Sequence, residues 1–171
     1  MMNRILLPFL AYVAFVAEST IMQVMLPEYN GEGWLMVPRF TLVIILFISM
    51  YLKPQVGIAY ALVFGLLTDL LYTDIIGVYM FSMALTAYLT SVFSRLVFGN
   101  VFVAFFLSLI GVTCLETLVF GLNSLVGVAD MAWGIYLYDR LLPTLLLNGV
   151  FTLAIYYFID KHLQKIKDRL N

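Results

Sequence analysis

The chain has few charged residues and almost no cysteine or histidine. Of its 171 residues only 11% are charged, and Cys114 and His162 are the single residues of their kinds. One cysteine permits no intrachain disulfide, and two isolated residues do not form the clustered ligand set of a structural metal site. The net charge of −1 also lacks the basic excess of nucleic-acid-binding surfaces. We therefore expect no metal, no cofactor and no nucleic-acid partner.

Motifs of enzyme active sites are missing as well. The chain contains no His-Glu-x-x-His, no Gly-x-Ser-x-Gly and no phosphate-binding glycine loop. Its polar residues are scattered singly through apolar runs, whereas membrane hydrolases and phosphotransferases collect them at one depth. We therefore expect a protein that is not an enzyme and has no catalytic residues.

Apolar residues dominate the chain. They make up 64% of it, against roughly 45–50% in ordinary soluble domains. Six apolar runs each approach the ~20 residues that cross a ~30 Å hydrocarbon core. This predicts an all-α integral membrane protein, a single-domain bundle of six transmembrane helices. The predicted spans are 5–26, 35–52, 55–73, 77–98, 101–122 and 142–160, with 123–141 along the membrane interface or slightly re-entrant.

The distribution of basic residues predicts the orientation. If the N-terminus is cytoplasmic and the chain crosses six times, seven basic residues lie inside and two outside, as the positive-inside rule requires. Both termini are then cytoplasmic. The inside residues are Arg4, Lys53, Arg95, Lys161, Lys165, Lys167 and Arg169, and the outside residues are Arg39 and Arg140.

The basic C-terminal tail continues the last span as a short amphipathic stretch. Each basic residue near the surface attracts anionic headgroups with about 1 kcal/mol. Membrane lipids are therefore expected partners of the tail, and docking of a cytoplasmic protein is the alternative.

Ionisable residues within the spans are candidate functional groups, because each costs several kcal/mol in a bilayer unless it is paired or hydrated. They are Glu18, Arg39 and Glu116, with Asp69 near a span end. Depth allows Glu18 or Asp69 to pair with Arg39, while Arg39 and Asp69 could instead reach interfacial water. For Glu18 and Glu116 the alternatives are a protonated or hydrogen-bonded carboxyl inside the bundle and a role in transport or proton relay.

Small residues recur every fourth position in the third span. Gly57, Ala61, Gly65 and Asp69 share one helix face, because four residues turn about 400°. Small residues let a neighbouring helix approach closely, as transmembrane helices require. The neighbour could be one of the protein's own helices or a helix of a partner. In the sixth span, Asn148 is a candidate for a hydrogen bond between helices.

These residues carry a family resemblance. The pattern Gly57…Gly65-Leu-Leu-Thr-Asp69-Leu-Leu-Tyr…Gly77, with the later Pro143-Thr-Leu-Leu-Leu-Asn148, resembles the rod shape-determining protein MreD family. The second position of that family's glycine pattern is occupied here by Ala61, and because alanine is also small, the small-residue face is kept. The resemblance extends to the length and hydropathy of the whole chain.

The resemblance implies a multi-pass scaffold in the bacterial plasma membrane, part of the cell-wall elongation machinery. Members are thought to bind the membrane-anchored protein MreC and to connect MreB filaments indirectly with peptidoglycan synthases. The alternative is the substrate-binding subunit of an energy-coupling-factor vitamin transporter, which is similarly small and six-spanning. Such subunits dock on their transporter through alanines spaced four residues apart, and Ala11, Ala14 and Ala17, spaced by three, are a poor match to that pattern. The aromatic segment 133–140, in contrast, is suited to enclosing a vitamin.

Overall fold

A computed structural model describes residues 2–25, 33–96, 100–128 and 131–167. Within these ranges all regular structure is helical. The side chains of the basic tail, predicted to meet lipid headgroups, lie outside the described residues. The helices are α1 (Met2–Met25), α2 (Phe40–Tyr51), α3 (Pro54–Tyr72), α4 (Val78–Leu96), α5 (Val101–Leu125), α6 (Trp133–Ile135) and α7 (Leu142–Lys167), with a π-helical segment (Tyr136–Leu141) joining α6 to α7.

Within the described ranges, four helical stretches are long and apolar enough to cross a membrane. They lie in α1, α3, α5 and the continuous helix from α6 through α7. Helix α2, at 12 residues, reaches only ~18 Å. Helix α4 has 19 residues, but its serines, threonines and tyrosines lower its mean hydropathy below that of the other four. The part of the chain that the structure describes is therefore all-helical, with four helices suited to span a bilayer.

Helix α2 forms the centre of the structure. Every residue from Phe40 to Ser49 is buried, and the helix packs against α1, α3, α4, α5 and α7. Its sequence, Phe-Thr-Leu-Val-Ile-Ile-Leu-Phe-Ile-Ser, is apolar on all sides, which is the pattern of a helix surrounded by others.

The segment before α2 is not helical, so the prediction of a helix from residue 35 was wrong. Pro38 disfavours a helical conformation at Val37 and has no N–H to donate. The neighbouring backbone groups bond to side chains of α7 instead. The Val37 N–H donates to Thr144 Oγ1 at 3.0 Å, and the Arg39 N–H donates to Asn148 Oδ1 at 2.7 Å. Asn148 Nδ2 in turn donates to the Val37 carbonyl at 2.9 Å.

The region 123–141 is also more helical than predicted. Helix α5 continues to Leu125, and the last helix already begins at Trp133 rather than at 142. Aromatic packing fixes this start, because Tyr136 stacks on Phe120 of α5 at 4.1 Å and Trp133 meets the same ring at 4.9 Å. Tyr136 is fully buried, so this stretch packs on the bundle as the first turns of the last helix.

The small-residue face of α3 is occupied by the protein's own helices. A Cβ on Gly65 would lie 2.6 Å from Met80 Cα and 2.9 Å from the Tyr79 carbonyl oxygen, both in α4. A Cβ on Gly57 would lie 2.9 Å from Ser49 Cα in α2, and Ala61 between them is fully buried. Of the two alternatives for this face, the structure has packing within the chain.

Candidate functional site

Arg39 lies at the centre of a buried cluster of charged side chains. It directly precedes α2 and is 7% exposed. Its Nε donates to Glu116 Oε1 of α5 at 2.6 Å, and its Nη1 lies 3.6 Å from Glu18 Oε1 of α1. Its Nη2 donates to the Tyr79 hydroxyl of α4 at 2.9 Å, and the guanidinium sits 5.0 Å from the centre of that ring. One side chain therefore connects four helices.

Glu116 is held between two arginines. Its Oε2 lies 3.2 Å from Arg140 Nη2 and accepts a hydrogen bond from Arg140 Nε at 3.3 Å. The Glu116 side chain has no exposed surface, and a carboxylate at such a site needs full compensation by opposite charge and hydrogen bonds. Glu18, Arg39, Glu116 and Arg140, called the charge cluster below, contribute two charges of each sign.

Glu18 also caps the central helix. Its Oε2 accepts a hydrogen bond from the Thr41 N–H at 3.1 Å, in the first turn of α2. The first N–H groups of a helix have no partner within the helix, and a negative charge beside them is favourable. Glu18 therefore fixes α1 to α2 twice, through this cap and through Arg39.

Asp69 caps a second helix in the same manner. It accepts hydrogen bonds from the backbone N–H groups of Gly77, Tyr79 and Met80, each at 2.9 Å. Gly77 has φ 107°, a conformation that glycine adopts readily and other residues rarely do. Asp69 is fully buried and Arg39 nearly so, so neither reaches interfacial water. Of the two pairings that depth allowed for Arg39, the structure has the one with Glu18.

The sequence predicted part of this arrangement. The pairing of Glu18 with Arg39 is present in the structure. Asn148, expected to form a hydrogen bond between helices, bonds instead to the non-helical segment before α2. The Arg39–Glu116 pair and the contribution of Arg140 were missed, because Arg140 was assigned to an external loop. Charge balance was the signal available, since two carboxylates in the apolar spans need two cations.

A cavity of about 190 Å³ adjoins the charge cluster. Glu18, Arg39, Arg140 and Tyr79 are among the residues that line it, with Ser19 and Thr68. Across the described ranges, no group of three or more histidine, cysteine, aspartate or glutamate residues could hold a metal ion. The chemistry that the cluster supports is electrostatic attachment of helices to one another.

The sequence matches a known protein family over nearly its whole length. The sequence model described as rod shape-determining protein MreD matches residues 3–166. The chain belongs to the MreD family. A curated relative, the rod shape-determining protein MreD of Bacillus subtilis (strain 168), is 34% identical over 147 residues, which cover 86% of each chain. The comparison with solved structures returned no significant match.

Family membership confirms the resemblance read from the glycine pattern and from the Pro143–Asn148 stretch. The protein is thus a membrane protein of the rod-shape-determining MreD family. The structure shows which contacts the residues of these two sequence patterns make. Gly65 and Asp69 hold α3 against α4, and Asn148 holds the segment before α2 against α7.

Proposed function

We propose that this protein is a non-enzymatic scaffold of the cell-wall elongation machinery in the bacterial plasma membrane. On this proposal it binds the membrane-anchored protein MreC and, through it, helps couple MreB filaments to peptidoglycan synthesis. The observation that carries the proposal is the family match over residues 3–166, because it covers nearly the whole chain. The match also favours this function over that of a vitamin-transporter subunit.

The charge cluster supports a scaffold role. Both oxygens of Glu116 are bonded to arginines, and both oxygens of Glu18 face Arg39 or the N-terminus of α2. Groups engaged in this way stabilise one arrangement of helices, whereas a relay or transport site needs carboxylates that can exchange protons or ions. A helix of the partner would bind an exposed apolar surface of the bundle, because the small-residue face of α3 is already covered by α2 and α4.

We further propose six membrane crossings with both termini in the cytoplasm. The second crossing combines α2 with the segment before it. This segment lies along the last helix. The Leu35 N–H donates to the Asp139 carbonyl and the Arg39 N–H donates to Asn148, and these two helix positions are about 14 Å apart along the helix axis. Added to ~18 Å for α2, this length suffices for a ~30 Å core. Non-helical backbone is tolerated at membrane depth where protein surrounds it.

Reporter fusions test the topology. Alkaline phosphatase is active only outside the cytoplasm, so we expect an inactive fusion at the C-terminus and an active one after Asp74. A green fluorescent protein fusion at the C-terminus, which fluoresces inside, serves as the matched control for expression. An active phosphatase at the C-terminus would overturn the proposed orientation.

Affinity purification tests the function. The tagged protein is extracted from its native membranes in a gentle detergent, and co-purifying proteins are identified by mass spectrometry. We expect MreC and enzymes of wall elongation. Recovery of paired ATPase subunits with a larger coupling membrane protein would assign the chain to a vitamin transporter instead. A Gly121→Leu variant, whose Cβ meets nothing within 4 Å, should retain the same partners.

A further inference from the structure

A groove on the outside of the bundle runs between α5 and α7. It has a volume of about 560 Å³ and opens to one side. Its walls are apolar, and no function discussed so far uses it. The wall residues include Phe105, Leu109, Leu146, Gly149, Val150 and Leu153.

One end of the groove has a different chemistry. Trp34, Tyr138 and Asp139 lie there, and the tryptophan and tyrosine side chains are mostly exposed. Tryptophan and tyrosine are the residues that favour the level of lipid headgroups. Along the last helix, Asp139 and Leu153 are separated by about 21 Å, so the groove extends from this end toward the middle of a bilayer.

The Asp139 carboxylate gives this end a negative charge. The neighbouring Arg140 points to Glu116 in the charge cluster, and Asp139 binds Leu35 only through its backbone carbonyl. Among the described residues, the structure records no ion pair or hydrogen bond of the Asp139 carboxylate. A partly buried carboxylate at the headgroup level attracts a cation and repels phosphatidylglycerol-like anionic headgroups.

We propose that the groove binds one acyl chain of an aminophospholipid of the phosphatidylethanolamine class, with its ammonium group at Asp139. The volume holds about 19 groups of the size of a water molecule, at ~30 Å³ each. A methylene group is of similar size, so the groove matches a single chain of ordinary length.

Two tryptophans make the binding measurable. Trp34 lies at the mouth of the groove, whereas Trp133 packs on Phe120 and Tyr136 outside it. The Trp133→Phe variant, with Trp34 as its only tryptophan, is placed in phosphatidylcholine nanodiscs. Small amounts of phosphatidylethanolamine or phosphatidylcholine with brominated chains are then added, because bromine quenches tryptophan fluorescence at short range.

We expect brominated phosphatidylethanolamine to quench Trp34 with a roughly fivefold lower half-saturating fraction than brominated phosphatidylcholine. The primary ammonium group donates hydrogen bonds to the carboxylate, whereas the trimethylated nitrogen of choline has no N–H to donate, and about fivefold is the factor that one net hydrogen bond gives. The reciprocal Trp34→Phe variant reports on Trp133, where both lipids should quench equally. Equal quenching of Trp34 by the two lipids would overturn the proposal.

Two substitutions separate headgroup recognition from chain binding. Asp139→Asn removes the charge and should abolish the preference while quenching by both lipids remains. Gly149→Leu should remove preferential quenching by filling the groove, since its Cβ would make ordinary 3.6 Å contacts with Leu109 and Phe105. Gly134→Leu, where the added Cβ meets nothing within 4 Å, is the matched control and should keep the preference. A preference that survives Asp139→Asn would contradict the role of the carboxylate.

Native mass spectrometry of the protein extracted from its own membranes identifies the natural occupant. We expect a retained aminophospholipid, which Gly149→Leu loses and Gly134→Leu keeps. Retention of all lipid classes in their membrane proportions would overturn the proposal. A bound polypeptide that Gly149→Leu releases would assign the groove to a protein partner and overturn it as well.

Discussion

Arg39 Nε and Glu116 Oε1 lie 2.6 Å apart in a site where the Glu116 side chain has no exposed surface. This contact joins the beginning of the central helix to the middle of α5. Breaking a buried pair by removing one partner leaves an uncompensated charge in an apolar environment, which destabilises a fold far more than loss of a surface pair. The stability of the bundle should therefore depend strongly on both residues.

Arg39→Met should destabilise the protein by about 3 kcal/mol or more, the range seen when one partner of a buried pair is removed. Glu18 loses its cation, and Glu116 keeps only Arg140. Unfolding in mixed micelles, followed by tryptophan fluorescence, measures the change. Arg95→Gln is the control, because Arg95 is exposed near the end of α4 and its loss should change stability by under about 0.5 kcal/mol.

A double-mutant cycle with Glu116→Gln tests the pairing itself. The combined variant should be less destabilised than the sum of the two single variants, with a coupling of about 1 kcal/mol or more. Strict additivity would contradict a direct Arg39–Glu116 interaction in the folded protein.

Asp69→Ala should cost about 2 kcal/mol or more, because three backbone N–H groups at the start of α4 lose their acceptor. Asp69→Asn keeps one acceptor oxygen and should cost less. Thermal unfolding of the detergent-solubilised protein provides the readout. Asp74→Ala changes an exposed carboxylate in the same connection and should leave the midpoint unchanged, and an equal loss at both positions would argue against capping by Asp69.

Gly65→Leu should disrupt the packing of α3 on α4. Its Cβ would stand 2.6 Å from Met80 Cα, a backbone atom that moves only if the helices separate. Size-exclusion chromatography of a fluorescent fusion should show loss of the monodisperse peak. Gly121→Leu makes the same substitution within a helix where the Cβ meets nothing within 4 Å, and it should elute like the parent. A normal profile for Gly65→Leu would refute this contact.

Asn148→Leu should destabilise the segment before α2. The substitution leaves the Arg39 N–H and the Val37 carbonyl without their partner, at about 1–3 kcal/mol for each buried group. Hydrogen exchange should therefore increase at residues 35–39 before the helices themselves open. Asn123→Leu is the control. Asn123 lies near the end of α5, its side chain has no hydrogen bond to any described residue, and its substitution should leave hydrogen exchange at residues 35–39 unchanged.

Hydropathy was sufficient to locate most helices, because a run of apolar residues near ~20 long has few alternatives to a helix in lipid. The predicted boundaries at 55–73 and 77–98 lie within a few residues of α3 and α4. Hydropathy was misleading at 35–39, where apolar residues surround Pro38 but the backbone bonds to Thr144 and Asn148. Such pairing links residues more than a hundred positions apart and leaves no local pattern.

Three of the four members of the charge cluster were predictable, but Arg140 and the geometry of the cluster were not. Apolar spans made Glu18, Arg39 and Glu116 conspicuous, since each needs a partner in a bilayer. Which carboxylate faces Arg39 depends on how α1 and α5 surround α2, and sequence periodicity alone does not determine that. The role of Asp69 as the cap of α4 depends on the turn at Gly77, which brings the next helix back over the end of α3.

Direct binding to MreC tests the central claim most closely. The purified protein with a donor dye and full-length MreC with an acceptor dye are reconstituted together in liposomes at increasing MreC-to-lipid ratios, and their association within the bilayer is followed by energy transfer. The account predicts saturable binding that unlabelled MreC displaces, that Gly121→Leu retains and that the misfolded Gly65→Leu loses. No association above that of an unrelated multi-pass membrane protein would contradict the proposed scaffold function.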